Sequence, residues 1–196
     1  MLKLKQTVNL QKLTITAILI ALGILIPMVM PKITIPPASF TLASHVPVMI
    51  AMFISPVVAI LVALGTSLGF FLTGLPIIIT LRALSHIVFA FIGALYIQKY
   101  GKHIEPSKAL FPNWRFQFFN FWIGLIHAGV ESIVVLLFYI GQPNPVDVNF
   151  YYYVFVLIGG GGLIHSLIDF NIAYFVVVKL KQIMPNSVFN QLKKEA

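Results

Sequence analysis

The 196-residue sequence contains no cysteine and few charged residues. Without cysteine the chain cannot form disulfides, attach haem through thioether bonds or bind a metal through thiolates. Only 9% of its residues are charged and 59% are hydrophobic, whereas a soluble domain has about 25% charged and about 45–50% apolar residues. The composition therefore excludes an ordinary soluble protein and predicts an all-α protein embedded in a lipid bilayer.

Acidic residues are scarcer than basic ones, with 5 Asp and Glu against 13 Lys and Arg. An excess of basic residues can indicate nucleic-acid binding, but here they lie near the two ends of the chain and between residues 99 and 115. Membrane proteins concentrate basic residues in their cytoplasmic segments, so we predict no nucleic-acid partner. The sequence also lacks a Walker A motif, so the chain by itself does not bind ATP in a P-loop.

Apolar segments long enough to cross a bilayer, about 20 residues each, recur along the chain. We predict one domain over residues 1–196, a bundle of six transmembrane helices with spans at about residues 13–30, 42–55, 57–73, 75–98, 116–140 and 150–178. The basic segments then fall on one side, so both termini are predicted to be cytoplasmic. Residues 31–41 contain three prolines and are predicted to form an outward loop, long enough to act as a lid.

Three of the predicted helices each carry two polar side chains that are four residues apart and therefore share one helical face. The pairs are Arg82 with His86, His127 with Glu131, and His165 with Asp169. An arginine in hydrocarbon costs about 3 kcal/mol or more, so Arg82 should face a partner or a water-filled cavity. Together with His45, at the outer end of the second span, these pairs predict a polar pocket that opens outward.

Depth in the membrane predicts that one of these polar residues, Asp169, does not reach the ligand in the pocket. Counting inward from the outer helix ends at about 1.5 Å per residue, Arg82 lies about 10 Å deep and Glu131 about 15 Å. Asp169 lies nearer the cytoplasm, so a structural role is predicted for it. The four consecutive glycines at 159–162 have two equally favoured interpretations. They could let the helix bend or let a ligand approach its backbone, or they could allow close helix packing.

The residues alone leave several functions open. Arg82 and Glu131 could form a structural ion pair. No metal or cofactor is predicted, because the HExxH signature is absent and no second acidic ligand matches in depth. Hydrolysis by the His127/Glu131 and His165/Asp169 pairs is an alternative, although the paired glutamates of membrane-embedded prenyl-protein proteases are missing. An ion-coupled secondary transporter is another. The preferred interpretation is a bundle that binds an anionic ligand.

The chain resembles, over almost its whole length, the substrate-binding S components of energy-coupling factor vitamin transporters. The resemblance includes an AxxxA pair in the first helix, Ala17 and Ala21 in TAILIALGI. Residues 39–87, SFTLASHVPVMIAMFISPVVAILVALGTSLGFFLTGLPIIITLRALSHI, are most similar to members assigned to niacin, with pantothenate as the next substrate.

The resemblance implies a multi-pass protein of a bacterial plasma membrane that binds a small carboxylate-bearing vitamin and is not an enzyme. The implied partners are a transmembrane coupling subunit, which would dock on Ala17 and Ala21, and two cytoplasmic ATPases. The loop of residues 31–41 and the one before Leu75 would cover the vitamin. We predict that the substrate-binding residues are Arg82, His86, His127, Glu131, His45 and His165.

Overall fold

The computed structural model describes residues 2–35, 38–104, 112–140, 149–183 and 189. These residues are mainly helical. The helices are α1 (Leu2–Val29), α2 (Val46–Met52), α3 (Pro56–Leu72), α4 (Ile77–Ile104), α5 (Trp114–Ile140), α6 (Asn149–Tyr152) and α7 (Gly162–Ile183), and a π-helical segment, Tyr153–Gly161, joins α6 to α7. Residues 105–111 and 141–148, which belong to the connections after the fourth and the fifth predicted spans, lie outside the described residues.

Four helical stretches among the described residues are long and apolar enough to cross a membrane. They are Leu10–Val29, Ile77–Gly101, Trp114–Ile140 and Asn149–Ile183, and each overlaps a predicted span. The third predicted span corresponds to α3, an apolar helix of 17 residues. Within the second predicted span, the 7-residue helix α2 is only about 10 Å long. Six crossings of the membrane therefore remain a prediction.

Helix α2 lies in the middle of the bundle. All of its residues are buried, and it packs against α1, α3, α4 and α7. Its sequence, VPVMIAM, has no polar side chain, as expected for a helix that is surrounded by protein. Because α2 is central, the residue that precedes it, His45, is placed among the surrounding helices rather than at the surface of the bundle.

Small side chains allow α1 and α3 to approach closely. Ala59 and Ala63 of α3 are buried, and a Cβ atom built on Gly65 would lie 2.6 Å from Cδ1 of Ile20. Such contact is typical of helices packed in membranes. On the outward faces of the helices, large apolar side chains such as Leu68 are exposed, as expected for surfaces that meet lipid.

Residues 31–41 differ from the predicted loop, because they include a β-hairpin. Strand β1 (Lys32–Ile35) pairs antiparallel with β2 (Ala38–Thr41), with Lys32 opposite Thr41 and Ile35 opposite Ala38. The prolines indicated only that the segment is not helical, whereas the β-branched residues of KITI favour an extended strand. The part of the chain that the structure describes is therefore helical with one short hairpin.

Candidate functional site: a buried histidine and carboxylate cluster

Glu131 of α5 is the centre of one half of the cluster, and its side chain is only 3% exposed. Arg82 Nη2 donates a hydrogen bond to Glu131 Oε2 at 2.9 Å, and His86 Nε2 lies 3.0 Å from Oε1. His127 Nε2, one turn earlier on α5, lies 3.5 Å from Oε1. The predicted faces of α4 and α5 therefore meet, and the arginine–glutamate ion pair that the sequence left as an alternative is present.

Asp169 of α7 is the centre of the other half, and it is buried. Its Oδ1 accepts the N–H of Ala43, and its Oδ2 accepts the N–H of His45, both at 2.9 Å. Ala43 has a φ of 65°, a conformation that is unfavourable for residues other than glycine. Asp169 thereby fixes the turn that leads into α2, which is a structural role.

Asp169 also contacts two histidines of the cluster, which the depth argument did not anticipate. His45 Nδ1 lies 3.1 Å from Oδ2, and His165 Nε2 lies 3.2 Å from the same oxygen. Asp169 itself is not among the residues that line the cavity described below, in agreement with the structural role predicted for it. The turn before α2 lies inside the bundle, so His45 reaches the level of Asp169.

Four imidazole rings connect the two halves, with His45 between the others. Its ring centroid lies 4.4 Å from that of His127 and 4.9 Å from those of both His86 and His165. The structure thus brings together all six side chains that the sequence singled out for substrate binding, Arg82, His86, His127, Glu131, His45 and His165. Their function in binding remains a prediction.

A cavity of about 90 Å³ adjoins the cluster. One water molecule needs about 10–15 Å³ of such space, so this cavity has room for several waters or one small ring. The residues that line it include all six of these side chains and, from other elements, Ser39, Phe40, Ser44, Thr66 and Phe70. The connection before Leu75 contributes no lining residue among those that the structure describes.

The hairpin covers the cavity through Phe40, which the sequence analysis did not single out. The Phe40 ring lies 5.8 Å from that of His165, and a Cβ atom on Gly161 would be 2.7 Å from Phe40 Cζ. Close packing therefore explains one of the four glycines, and Gly162 lines the cavity itself. An aromatic residue in a segment that was predicted to be a lid was the available signal for Phe40.

Two side chains of the cluster have buried polar atoms that lack a hydrogen-bond partner among the described residues. These atoms are Arg82 Nε and both ring nitrogens of His127, whose side chain is 1% exposed. An unsatisfied buried polar group costs about 1–3 kcal/mol. A ligand or water molecules in the cavity could satisfy these atoms.

The predicted docking residues lie on the outer face of α1. Ala17 and Ala21 are exposed, whereas Thr16 and Leu19 are buried and Gly23 packs against Thr66. The alanine pair therefore does not serve helix packing within the described residues of this chain.

A bundle of apolar helices around a polar cavity is the architecture of a membrane protein that binds a small molecule. The chain is 45% identical to the niacin transporter NiaX of Lactococcus lactis subsp. cremoris (strain MG1363) over an alignment of 189 residues, and the alignment covers 93% of this chain and 80% of the relative. It belongs to this family, the niacin-type S components of energy-coupling factor vitamin transporters. Neither a protein-family model nor a solved structure matches the chain. The resemblance seen in the sequence is confirmed, and so is a multi-pass membrane protein.

Proposed function

We propose that this protein captures nicotinate from outside a bacterial cell, as the substrate-binding component of an energy-coupling factor importer. The observation that carries the proposal is the polar cavity beside Arg82, in a chain whose relative is named as a niacin transporter. Nicotinate is a single aromatic ring with a carboxylate, and the size and lining of the cavity suit both parts. The protein would bind and deliver the vitamin without changing it chemically.

Arg82 would hold the carboxylate. One of its terminal nitrogens binds Glu131, but Nε has no partner among the described residues. A guanidinium offers five N–H donors in one plane, so it can retain Glu131 and still present a parallel pair to a second carboxylate. The hydroxyls of Ser44 and Thr66 line the same cavity and can donate to the ring nitrogen.

Aromatic side chains and the hairpin would enclose the ring of the vitamin. Phe40 and Phe70 line the cavity together with the imidazoles of the cluster. Offset aromatic contacts contribute about 0.5–1.5 kcal/mol beyond area burial. The vitamin would enter by displacement of the hairpin, whose β2 strand supplies three lining residues, Ser39, Phe40 and Thr41.

Direct binding tests this function. The purified protein in detergent should bind nicotinate saturably by calorimetry, more tightly than nicotinamide and more tightly than pantothenate, which carries a carboxylate on a longer, flexible chain. If pantothenate bound tightly and nicotinate did not, the transporter family would stand and the substrate would be wrong.

We further propose six crossings of the membrane, with both termini in the cytoplasm. The basic residues near the N-terminus, between 99 and 115 and after 178 support this orientation. The chain has no native cysteine, so single cysteines at Lys102 and Asp147 can be compared directly. In intact cells an impermeant thiol reagent should label the cysteine at 147 and not the one at 102. Labelling of both positions would contradict the six-span arrangement.

A transmembrane coupling subunit would dock on the exposed alanines of α1, and two cytoplasmic ATPases would supply the energy. Small residues permit close helix approach, so Ala17→Trp or Ala21→Trp should prevent co-purification with the coupling subunit. Nicotinate binding by the isolated chain should remain, because neither alanine lines the cavity.

Ile168→Trp on α7 is the matched control, because that position is 48% exposed and lies on another helix. This variant should assemble normally. The docking proposal fails if Ala17→Trp abolishes nicotinate binding while assembly is retained.

A further inference from the structure

Four potential metal ligands converge where α4, α5 and the turn before α2 meet. One ligand atom each from His45, His86, His127 and Glu131 can be chosen such that all lie within 4.8 Å of one another. The sequence analysis placed these side chains in one pocket but predicted no metal, because they are spread over three elements and follow no metal-binding spacing. Imidazole nitrogens with one carboxylate oxygen are donors that suit Zn²⁺ and neighbouring divalent transition metals.

The distances around Glu131 match a tetrahedral centre. Zinc bonds to nitrogen and oxygen of about 2.0–2.2 Å place neighbouring ligand atoms of a tetrahedron about 3.3–3.6 Å apart. Glu131 Oε1 lies 3.5 Å from His127 Nε2, which is within that range, and 3.0 Å from His86 Nε2, which is slightly below it. Small side-chain rotations would therefore accommodate an ion between these three atoms.

Two of the ligands already have the outer partners that metal sites usually provide. Asp169 accepts a hydrogen bond from His45 Nδ1, which leaves His45 Nε2 as the nitrogen with a free lone pair. Arg82 holds the second oxygen of Glu131 and leaves Oε1 toward the histidines. Outer hydrogen bonds of this kind orient ligands before a metal arrives.

His127 supplies an independent observation. Its side chain is 1% exposed, and neither ring nitrogen has a hydrogen-bond partner among the described residues. A buried imidazole without partners is costly, whereas a metal bond to Nε2 would satisfy the nitrogen that faces Glu131.

Charge balance favours a cation in the same place. Arg82 contributes +1, Glu131 and Asp169 contribute −1 each, and with neutral histidines the described charged groups of the cluster sum to −1. Nicotinate would increase this to −2 in a buried site, which is unfavourable. A divalent cation would instead bring cluster and nicotinate to neutrality. The charge balance with nicotinate rests on the proposed function, whereas the geometry of the metal-ligand atoms does not.

We infer that His45, His86, His127 and Glu131 form a binding site for a divalent transition-metal ion of the Zn²⁺ type at the wall of the vitamin cavity. A second group, His45, His165 and Asp169, also brings its ligand atoms within 4.8 Å of one another. It is the weaker set, because both oxygens of Asp169 already accept backbone N–H groups.

Metal content and spectroscopy test the inference directly. The protein should be purified with a histidine-free affinity tag, stripped with chelator, and titrated with Zn²⁺ and with Co²⁺, followed by elemental analysis. About one ion per chain should bind, and Co²⁺ should give the intense visible absorption of a tetrahedral nitrogen and oxygen site. His86→Gln and His127→Gln should each lower the affinity at least about tenfold.

His103→Gln is the matched control, because it removes a histidine about 25 Å along α4 from His86, and it should leave the affinity unchanged. Each variant must keep the size-exclusion profile and the far-ultraviolet circular dichroism of the parent. Failure of the parent to bind Zn²⁺ or Co²⁺ would overturn the inference, as would a loss in His103→Gln equal to that in His127→Gln. Nicotinate titration of the stripped protein separates the metal site from the proposed transport function. Unchanged nicotinate binding without any metal would support the transport function and show that it does not depend on the metal.

Discussion

Arg82→Ala protein should bind nicotinate and the uncharged nicotinamide with nearly equal affinity, whereas the parent protein should strongly prefer nicotinate. The two ligands share the pyridine ring and differ in the group that would meet the guanidinium. Hydrogen bonds to charged groups contribute about 1.5–3 kcal/mol each, so loss of even one predicts at least about tenfold weaker nicotinate binding. Arg82→Lys should give an intermediate loss, because lysine keeps the charge but cannot form two parallel bonds.

The ratio of the two affinities is the informative quantity. Arg82 also bonds Glu131 at 2.9 Å, so its removal disturbs the cluster and lowers binding of any ligand. A general disturbance reduces the affinities for nicotinate and nicotinamide together, whereas loss of carboxylate recognition reduces only the affinity for nicotinate. Calorimetric titration of both ligands into folded Arg82→Ala protein measures the ratio of the two affinities. Arg82 has no part in carboxylate recognition if such protein retains the full preference for nicotinate.

Side-chain spacing along single helices was sufficient to predict much of the site. Residues four apart share a helical face, which placed Arg82 with His86 and His127 with Glu131. The cost of an arginine in hydrocarbon then required a partner for it, and Glu131 is that partner. These arguments depend on local geometry alone, so they hold without knowledge of how the helices pack.

The central position of His45 could not be predicted in the same way. It follows from the shortness and complete burial of α2, which places the turn before it inside the bundle. Sequence spacing shows neither this nor the contact of Asp169 with His45, which joins residues 124 positions apart. An HExxH motif likewise lies on a single helix, whereas the four proposed metal ligands come from three elements.

The cover of the cavity was also only partly predictable. Three prolines excluded a helix in residues 31–41, but the pairing of β1 with β2 depends on both strands together. The π-helical segment, which includes Gly159, Gly160 and Gly161, has no distinct sequence pattern. Its contact with Phe40 depends on how the hairpin packs against this segment.

The largest effect on stability is expected from Glu131→Gln. Glu131 is 3% exposed and is the anion for Arg82, His86 and His127, so the substitution leaves the arginine as a buried charge without its counter-ion. Removal of one partner of a buried ion pair costs about 3–5 kcal/mol. In a chain of this size each kcal/mol lowers the unfolding temperature by about 2–4 °C. Thermal unfolding in detergent, followed by circular dichroism, should show this decrease.

The double variant Arg82→Met/Glu131→Gln separates the loss of a counter-ion from the loss of packing. Methionine replaces the arginine stem without its charge, and a buried pair replaced as a whole is often close to neutral for stability. The double variant should therefore unfold at a higher temperature than Glu131→Gln alone, although it should not distinguish nicotinate from nicotinamide. Gln117→Glu/Asn171→Lys, at an exposed hydrogen-bonded pair between α5 and α7, is a control in which added charges should change stability by only about 0–1 kcal/mol. The single variant Arg82→Met gives the effect of that substitution alone. If adding it to Glu131→Gln lowered the unfolding temperature by the same amount as in the parent protein, the two residues would not be coupled. The ion pair would then not stabilise the bundle.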